Sequence, residues 1–500
     1  MRRPFFPCFA SAVALLAAPL LGGCAVGPDF STPPAPSVSS YDSAPTPTST
    51  SDAAQTLQPG QDIPAAWWTL FHSDNLNRLV AQALKDNPDL ASAEASLRVA
   101  QDDLAAGNAE LFPSVSANFS AQRQKTSGAS FGGFAPSLTY SLYNASVGVT
   151  YGLDLFGGTR RAIEGLQAQA DESRFEKEAV YLSLTSNVVT AAIQEASLRD
   201  QIKATHEIIN AQEKVLALLK LRFEAGAVPQ SVVAAQRSTL ATAKTALPPL
   251  EHQLVVTRHL LSVLVGHMPQ QEPSARFTLA ELTLPPQIPL SIPSKLVEQR
   301  PDVQAAEANL HAASAAIGVA VAARLPEIAL SADIGSDAIT IGKLFTPGSG
   351  IWSFGGSAAE TIFDAGALSD KEDAARDAYT QASAQYRKTV LAAFQDVADT
   401  LYALQSDADS LNIKTEAESA AAESLALTKA QLDAGSLGIA DLLIAEQAEQ
   451  QAKAALVQAK AQRYADTAAL FAALGGGWWN REAVPVADTA ATSSSEKGSL

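Results

Sequence analysis

Thiols and imidazoles perform much of protein chemistry, and this chain has two cysteines and six histidines. Cys8 lies in the first 23 residues, where two arginines, a short apolar run and small residues are typical of a secretory signal peptide. Removal of that peptide leaves Cys24 as the one thiol, which excludes an intramolecular disulfide and a multi-cysteine zinc site. A catalytic thiol needs a histidine partner, and no histidine clusters with Cys24. The histidines are His72, His206, His252, His259, His267 and His311.

The residues around Cys24 indicate a point of attachment instead. Leu21-Gly22-Gly23-Cys24 resembles the lipobox of bacterial lipoproteins, in which the thiol is diacylated and becomes the new N-terminus. Each buried methylene contributes about 0.8 kcal/mol, so two or three acyl chains are enough to hold a protein on a membrane. The next residue is Ala25 and not aspartate, which in such lipoproteins implies sorting to the outer membrane. The alternative is a soluble exported protein with one free thiol.

No spacing of polar residues has the context of a catalytic motif. His206-Glu207 lacks the second histidine of HExxH, and the glycines of LFGGTRR and ALGGGWW have neither GxGxxG nor Walker spacing. Gly128, Ser130 and Gly132 fit GxSxG, but they lie in a Gly/Ser-rich loop between two predicted strands and not at the strand-to-helix turn that this motif needs. His252 and His259 are seven residues apart on one predicted helix, a spacing far more common for surface or packing histidines than for metal ligands. We therefore expect no enzyme activity, no metal site and no cofactor beyond the covalent lipid on Cys24, and a periplasmic lipoprotein enzyme is a remote alternative.

Charge and hydropathy exclude two further classes. The formal charge is −17, and loss of Arg2 and Arg3 with the signal peptide takes it by two more units to −19. Nucleic acid is not an expected partner, because phosphate binding needs clustered cations. Hydrophobic residues make up 47% of the chain, yet no apolar run of about 18 residues follows the signal peptide, so no transmembrane helix is expected. If the mature chain crosses a bilayer, it must use strands.

Composition separates both ends of the chain from its folded part. Residues 1–23 are the predicted signal peptide, and residues 24–62 are predicted to be a lipidated N-terminus followed by a flexible linker. The linker is rich in Ser, Thr, Pro and Ala, a composition that buries little surface and stays extended. Residues 480–500 are predicted to be a disordered tail.

Between these ends the sequence is duplicated. NPDLASAEASLRVA (87–100) matches RPDVQAAEANLHAA (300–313) at an offset of 213, and FEAGAVPQSVVAAQ (223–236) matches LDAGSLGIADLLIAEQ (432–447) at an offset of 209. A duplicated supersecondary unit is the simplest explanation, with four residues lost between the two matches. The predicted repeats are residues 63–285 and 286–479.

Each repeat is predicted to contain a β-hairpin and a pair of long helices. In SVSANFSAQ, apolar and polar residues alternate as in a strand with one apolar face. Residues 158–222 contain no proline, and apolar residues from Val390 to Leu411 step by four and three, the repeat of a left-handed coiled coil. The predicted strands are 114–124, 138–155, 327–338 and 350–363, and the predicted long helices are 157–224, 230–266, 366–433 and 438–474.

Four strands with an apolar face cannot close a membrane barrel alone. About eight strands are the minimum in bacterial outer-membrane barrels, and open edges in lipid leave backbone groups unpaired. The strands must then be shared between copies of the chain, and the paired helices would continue the barrel as a coiled-coil tube. The alternative is a small soluble sandwich with ordinary coiled coils, in a lipoprotein scaffold that bridges membrane and periplasm without a lumen.

Several motifs resemble one family, the TolC-like outer-membrane factors, in their lipoprotein branch of multidrug efflux channels. The motifs are GCAVGPDF, WWTLFHSDNLNRLVAQALKDNPDL, the LFP before the first strand, LDLFGGTRRA and the terminal ALGGGWW, so the resemblance covers nearly all of the chain from Cys24 to Trp479. It implies a mainly α fold with a trimeric twelve-stranded β-barrel in the outer membrane and a twelve-helix tunnel in the periplasm. It also implies a periplasmic adaptor protein and an inner-membrane pump of the RND type as partners, with this chain as a passive, gated duct for export.

The same resemblance implies that the adaptor contacts two helical turns. These turns are centred on two glycines, which permit tight turns and close approach of a second helical hairpin. A turn with no further role explains the glycines equally well. The implied contact residues are Gly226, Ala227, Val228, Gly435, Ser436 and Leu437.

The resemblance also places the closed aperture of the channel near the second turn. Asp441 matches an aspartate ring that constricts the pore, where three carboxylates would attract cations. The alternative is an acid that stabilises a helix N-terminus. Positions that hold a tyrosine, a basic residue and an acid in some family members are here Leu432, Leu437 and Val232, so a polar latch cannot form. We expect closure by apolar packing of Leu432, Leu437 and Ile439 together with the Asp441 ring.

Overall fold

A computed structural model describes residues 25–38, 40–41, 55–127, 129 and 136–481. The predicted signal peptide 1–23, the predicted lipidation site Cys24 and residues 482–500 of the predicted tail lie outside the described residues. The described chain is mainly helical, and none of its helices combines the length and the apolar character needed to cross a lipid bilayer.

The helices are α1 (Asp74–Asp86), α2 (Pro88–Ala109), α3 (Gly158–Glu224), α4 (Gln230–Thr245), α5 (Leu247–Leu264), α6 (Pro293–Gln299), α7 (Pro301–Ala322), α8 (Ala367–Asp433) and α9 (Ile439–Ala473). The strands are β1 (Thr56–Pro59), β2 (Ser114–Thr126), β3 (Leu138–Leu153), β4 (Gln287–Leu290), β5 (Glu327–Ala338) and β6 (Gly350–Ala359).

The internal duplication is visible in the lengths of the helices. Helices α2 and α7 have 22 residues each and start 213 residues apart, at Pro88 and Pro301. Helices α3 and α8 have 67 residues each and start 209 residues apart, at Gly158 and Ala367. The two offsets are those of the sequence matches, so equivalent positions in the two repeats can be compared residue by residue.

The chain divides into two compact units. The first contains residues 94–175 and 304–389 with the N-terminal part up to Pro34, and its centre is a sheet with the strand order β2-β3-β5-β6. All three strand pairs of this sheet are antiparallel, and β3 and β5 join the two hairpins. Strands β2 and β6 are the two edges of the sheet.

The second unit contains residues 35–93, 176–303 and 390–500. Its core is aromatic: the ring centroids of Trp67 and Phe471 are 5.4 Å apart, and those of Trp67 and Phe71 are 6.4 Å apart. A turn of three glycines lies beside this core. Gly475, Gly476 and Gly477 have φ of 94°, 67° and 73°, a region in which other residues are strained. A Cβ on Gly477 would also lie 2.5 Å from the carbonyl oxygen of Ile63, so both conformation and space require glycine.

Two predictions about this unit are corrected. Part of the predicted flexible linker 24–62 is ordered, because Thr56–Pro59 pairs in parallel with Gln287–Leu290. The single return helix predicted for 230–266 is two helices, α4 and α5, with Pro248 and Pro249 in the first turn of α5. A proline ring removes a backbone donor and clashes with the preceding turn, so a helix restarts at this point.

Candidate membrane face and helical tips

The four-stranded sheet of the first unit has two faces of different chemistry. Along one register row Ala117, Val147, Ile334 and Trp352 lie side by side across all four strands. On the opposite face the adjacent row is Ser116, Gly148, Asp333 and Ser353. Side chains alternate between faces along each strand, so the sheet presents one apolar and one polar surface.

The apolar face is exposed on the single chain. Trp352 is 80% exposed, Phe354 73%, Ile334 68% and Phe119 60%. Contiguous apolar patches of this kind are rare on soluble monomers and mark surfaces for a membrane or a partner. Because β2 and β6 are edges, each also presents a row of backbone groups without a strand partner in the described chain.

The polar face carries acidic residues. Asp333 lies in the middle of β5, and a Cβ on Gly148 would lie 2.6 Å from its carboxylate oxygen Oδ1. Gly148 therefore leaves room for the Asp333 side chain to lie across the neighbouring strand. Asp337 is on the same face two positions further along, after Gly335. The polar face is suited to water and the apolar face to lipid.

The chain that follows the predicted lipidation site is docked on the first unit. We call residues 25–30 the N-terminal strap. The amide of Val26 donates to the carbonyl of Phe156 at 2.9 Å, and the Nη2 of Arg161 lies 2.6 Å from the carboxylate of Asp29. The ring of Phe30 stacks on His311 with 4.3 Å between centroids. The residue after Cys24 is thus held near the end of β3.

The two predicted tips are helical turns of the same type. At the end of α3 the amide of Ala227 donates to the carbonyl of Arg222 at 2.8 Å, and at the end of α8 the amide of Ser436 donates to Gln431 at 2.9 Å. With Gly226 at φ 70° and Gly435 at φ 75°, both turns have the geometry of Schellman motifs. No atom lies within 4 Å of a Cβ built on either glycine, so the backbone angle and not space favours glycine.

The remaining residues of the predicted adaptor contact lie in these two turns. Ala227, Gly435 and Ser436 are exposed, and Val228 and Leu437 are half-buried. The first and second turns are separate loops, and each lies at the end of its own helical hairpin.

The predicted gate residues flank the second turn. Leu432 and Ile439 are half-buried, like Leu437, and Asp441 is exposed. The Oδ2 of Asp441 accepts a hydrogen bond from the amide of Gly438 at 3.0 Å. Asp441 therefore stabilises the N-terminus of α9, the alternative role weighed from the sequence, and its charge remains open to solvent.

Contacts between helices of the two repeats were not predicted. Nζ of Lys453 on α9 lies 2.7 Å from the carboxylate of Glu207 on α3, and the amide nitrogen of Gln458 donates to Gln201 at 3.2 Å. The hydrogen bond from Lys453 lowers the pKa of Glu207. The heptad pattern identifies only the apolar residues along which two helices pack. Polar pairs between the helices, beside those apolar residues, therefore cannot be predicted from it.

A pair of acidic residues lies between α8 and α9. Burial, together with the hydrogen bond and charge of Asp466, raises the pKa of Asp407 to about 7, while Arg463 and Lys414 act in the opposite direction. This folded-state pKa exceeds the ordinary value of 3.8. Between pH 3.8 and about pH 7 the folded chain therefore keeps a proton on Asp407 that the unfolded chain has already released. The stability contributed by the pair is therefore lost as pH rises through this window.

We expect Asp407→Asn to stabilise the protein at alkaline pH and to do little at pH values below the window. The expected gain in the free energy of unfolding is about 1 kcal/mol at pH 8, since the pair is partly exposed and solvent screens it. Chemical denaturation at a series of pH values measures it. Asp409→Asn, an exposed acid on the same helix, is the matched control, and equal pH profiles for the two variants would contradict the assignment.

Within the described ranges no group of three or more His, Cys, Asp or Glu side chains is placed to hold a metal ion. The conspicuous features are instead the two-faced sheet and the two glycine turns.

Comparison with known proteins decides the family. The family model described as outer membrane efflux protein matches residues 79–267 and 292–476, which together are more than half of the chain. The chain belongs to the outer membrane efflux protein family. This confirms the resemblance seen in the sequence, and the duplicated match follows the two repeats.

Known proteins can be aligned with most of the length of this efflux protein. The pyoverdine export outer membrane protein OpmQ of Pseudomonas putida is 30% identical over 82% of this chain and 88% of its own. The toluene efflux pump outer membrane protein TtgC of Pseudomonas putida is 29% identical over 92% of this chain and 94% of its own. The open state of the MtrE outer membrane channel of Neisseria gonorrhoeae superimposes with a TM-score of 0.80 at 26% identity, covering 91% and 99% of the two chains. This efflux protein is accordingly an outer-membrane export channel.

Proposed function

We propose that three copies of this efflux protein close their four-stranded sheets into one twelve-stranded barrel in the outer membrane. The observation that carries the proposal is the exposed apolar face bounded by two unpaired edges. In hydrocarbon each unpaired backbone group costs several kcal/mol, so β2 of one copy pairs with β6 of the next until the sheet is closed. The polar face with Asp333 then lines the lumen.

The long helices form a periplasmic tunnel of twelve helices in the same assembly. Each chain supplies α3 and α8 with their return helices α4 to α5 and α9, and the seam residues of α8 that are buried, such as Val390, Val397 and Leu404, support helix packing. The tunnel conducts passively, and no cofactor takes part. Energy for transport comes from an inner-membrane pump of the RND type.

A periplasmic adaptor docks on the two glycine turns. Gly226 and Gly435 lie in exposed turns with open space around a Cβ built on either glycine, and the short side chains beside them allow close approach of a second helical hairpin. Nucleic acid is not a partner of a chain whose formal charge is −17 before, and −19 after, loss of Arg2 and Arg3 with the signal peptide.

Acylation at Cys24 anchors the assembly in the outer membrane. The N-terminal strap supports this role, because it holds Ala25 next to Gly157, just after the end of β3. A Cβ on Gly157 would lie 2.6 Å from Cα of Ala25. The acyl chains would therefore enter the bilayer beside the barrel and not at the end of a long tether.

The test of the channel is conductance of the purified protein in planar bilayers, combined with electrophoresis before and after heating. We expect a heat-labile trimer that passes ions. A lumenless scaffold would pass none, and a monodisperse single chain in detergent would contradict the shared barrel.

We expect the gate to depend on the charge of Asp441. In the trimer three Asp441 carboxylates surround the aperture, so Asp441→Asn should reduce the preference for cations in planar bilayers. The asparagine oxygen can still accept the hydrogen bond from Gly438, whereas Asp441→Ala loses both charge and hydrogen bond. If only Asp441→Ala changes conduction, the residue acts as a helix cap and the ring is wrong.

A further inference from the structure

A groove lies on the apolar face of the sheet, beside the connection between β5 and β6. Its volume is about 540 Å³. Its floor is formed by two rows of that face, and Phe345 of the connection adds a side wall. Its lining includes Phe119, Val147, Ile334 and Phe345. No acidic side chain of the described chain lines it.

The connection that carries Phe345 is braced. Oγ of Ser349 lies 2.8 Å from the carbonyl oxygens of both Leu344 and Thr346, which share its one proton, and a short 3₁₀ helix spans Ile341–Lys343. Leu344 is 3% exposed, whereas its neighbour Phe345 is 80% exposed. A buried leucine and local hydrogen bonds thus hold an aromatic ring out over the face. An exposed aromatic on a fixed support is suited to contact with an apolar ligand.

Two cations lie at the hairpin end of the same face, and a third lies in the connection between β5 and β6. Strand alternation places Arg123 and Lys125 on the face of Val115 and Phe119, and Lys343 precedes Phe345 by two residues in the connection. All three are exposed, and among the described residues none of them forms a salt bridge. Unpaired cations beside an apolar groove fit a ligand with acyl chains and a phosphate.

We propose that this groove and these cations form a site for lipid A, the phosphorylated and acylated glycolipid of the outer leaflet. One acyl chain lies in the groove against Phe345 and Ile334, and a phosphate lies at Lys343, Arg123 and Lys125. The inference rests on the proposed barrel, in which the hairpin connections lie at the ends of the strands opposite α7 and α8 and so face the outer leaflet.

Binding of purified lipid A to the detergent-purified trimer, quantified by native mass spectrometry, tests the site. We expect the double variant Lys343→Gln/Phe345→Ala to bind about tenfold more weakly or worse, equivalent to about 1.4 kcal/mol. Removal of the phosphates from lipid A should weaken its binding to the unaltered protein to a similar extent. Phosphatidylglycerol, which has one phosphate and two acyl chains, should bind less well than lipid A.

Two substitutions are matched controls. Phe354→Ala removes an exposed aromatic of the same face outside the groove, and Lys371→Gln removes an exposed lysine of α8. Both should bind lipid A normally. If Phe354→Ala weakens binding as much as the double variant Lys343→Gln/Phe345→Ala, or if dephosphorylated lipid A or phosphatidylglycerol binds equally well, the face contacts bulk lipid only and the site is wrong.

Conductance separates this inference from the proposed function. The groove variants should conduct like the unaltered channel, because the substitutions lie outside the lumen. Intact conductance without selective lipid A binding overturns the lipid site alone, whereas an unaltered protein that neither conducts nor forms trimers overturns the proposed channel.

Discussion

Val147→Lys should abolish assembly of the trimer in the outer membrane. Val147 lies near the middle of β3 on the apolar face, between Ala117 and Ile334 in the register. A lysine that faces lipid at the midplane of a barrel destabilises the folded barrel by about 2–4 kcal/mol, and each of the three chains contributes one such lysine. Electrophoresis of outer-membrane fractions should show loss of the heat-labile trimer and accumulation of the chain in the periplasm.

The matched control is Ser146→Lys, one residue earlier on the same strand. Ser146 is at the same depth but on the polar face, beside Asn118 and Gly335. Its lysine would enter the aqueous lumen, so trimers should form in nearly normal amounts. If the two lysines are tolerated equally, the apolar face does not meet lipid, and the soluble sandwich considered from the sequence becomes the better description.

Periodic features of the fold could be read from the sequence because they repeat locally. Alternation predicts the hairpins, and the structure has strands at Ser114–Thr126 and Glu327–Ala338 where the pattern lies. The long helices follow from the absence of proline over many turns. The break between α4 and α5 is also visible locally, since LPPL contains two adjacent prolines. The prediction of one continuous helix was wrong because prolines are rare in the interior of a helix.

Features that depend on distant partners could not be read in this way. Strand β1 pairs with β4 across more than two hundred residues, and Gln55 beside it is fully buried, with its amide nitrogen donating to the carbonyl of Pro285 at 3.1 Å. The surrounding Ser, Thr and Pro indicate an extended chain, since composition carries no information on a partner strand.

The candidate site shows the same division between local and distant information. The two glycine turns are local and were predicted, because a helix that ends in Ala-Gly has a recognisable cap. The role of Asp441 as a helix cap is also local, whereas the proposed ring follows from the family resemblance and needs three copies of the chain. By contrast, the groove beside Phe345 needs a connection folded against a sheet face, and the docking of Asp29 on Arg161 needs two segments far apart in sequence.

The second large effect is expected from Arg258→Thr, which should destabilise the second unit by about 3–5 kcal/mol. Arg258 is 5% exposed, and its Nη1 lies 2.8 Å from the carboxylate of Glu195, which is fully buried. Its Nε lies 2.7 Å from Glu272, and its Nη2 donates to the carbonyl of Pro273 at 2.8 Å. Loss of the guanidinium leaves a buried carboxylate with Arg199 as its remaining charged partner among the described residues.

The second repeat supplies the design of the control. At the offset of 209 that relates α3 to α8, Glu195 corresponds to Leu404 and Arg258 to Thr467, and both of these residues are buried. The double variant Glu195→Leu/Arg258→Thr therefore replaces the ionic pair by the two residue types that occupy the equivalent positions of the second repeat. Replacing a buried ion pair by uncharged residues is often neutral, and the new hydroxyl can donate to the carbonyl four residues earlier, as Thr467 does to Arg463. Most of the lost stability should therefore return.

Chemical denaturation of the detergent-purified protein compares the variants. Arg199→Met should cost about 1 kcal/mol or less, because the Arg199 side chain is 26% exposed and solvent screens its pairing with Glu195. The uncompensated charge explains the effect only if the double variant is clearly more stable than Arg258→Thr. Equal loss in both would mean that Arg258 acts through its hydrogen bonds to Pro273 and Ala275, which fasten the segment after α5, and not through the buried carboxylate.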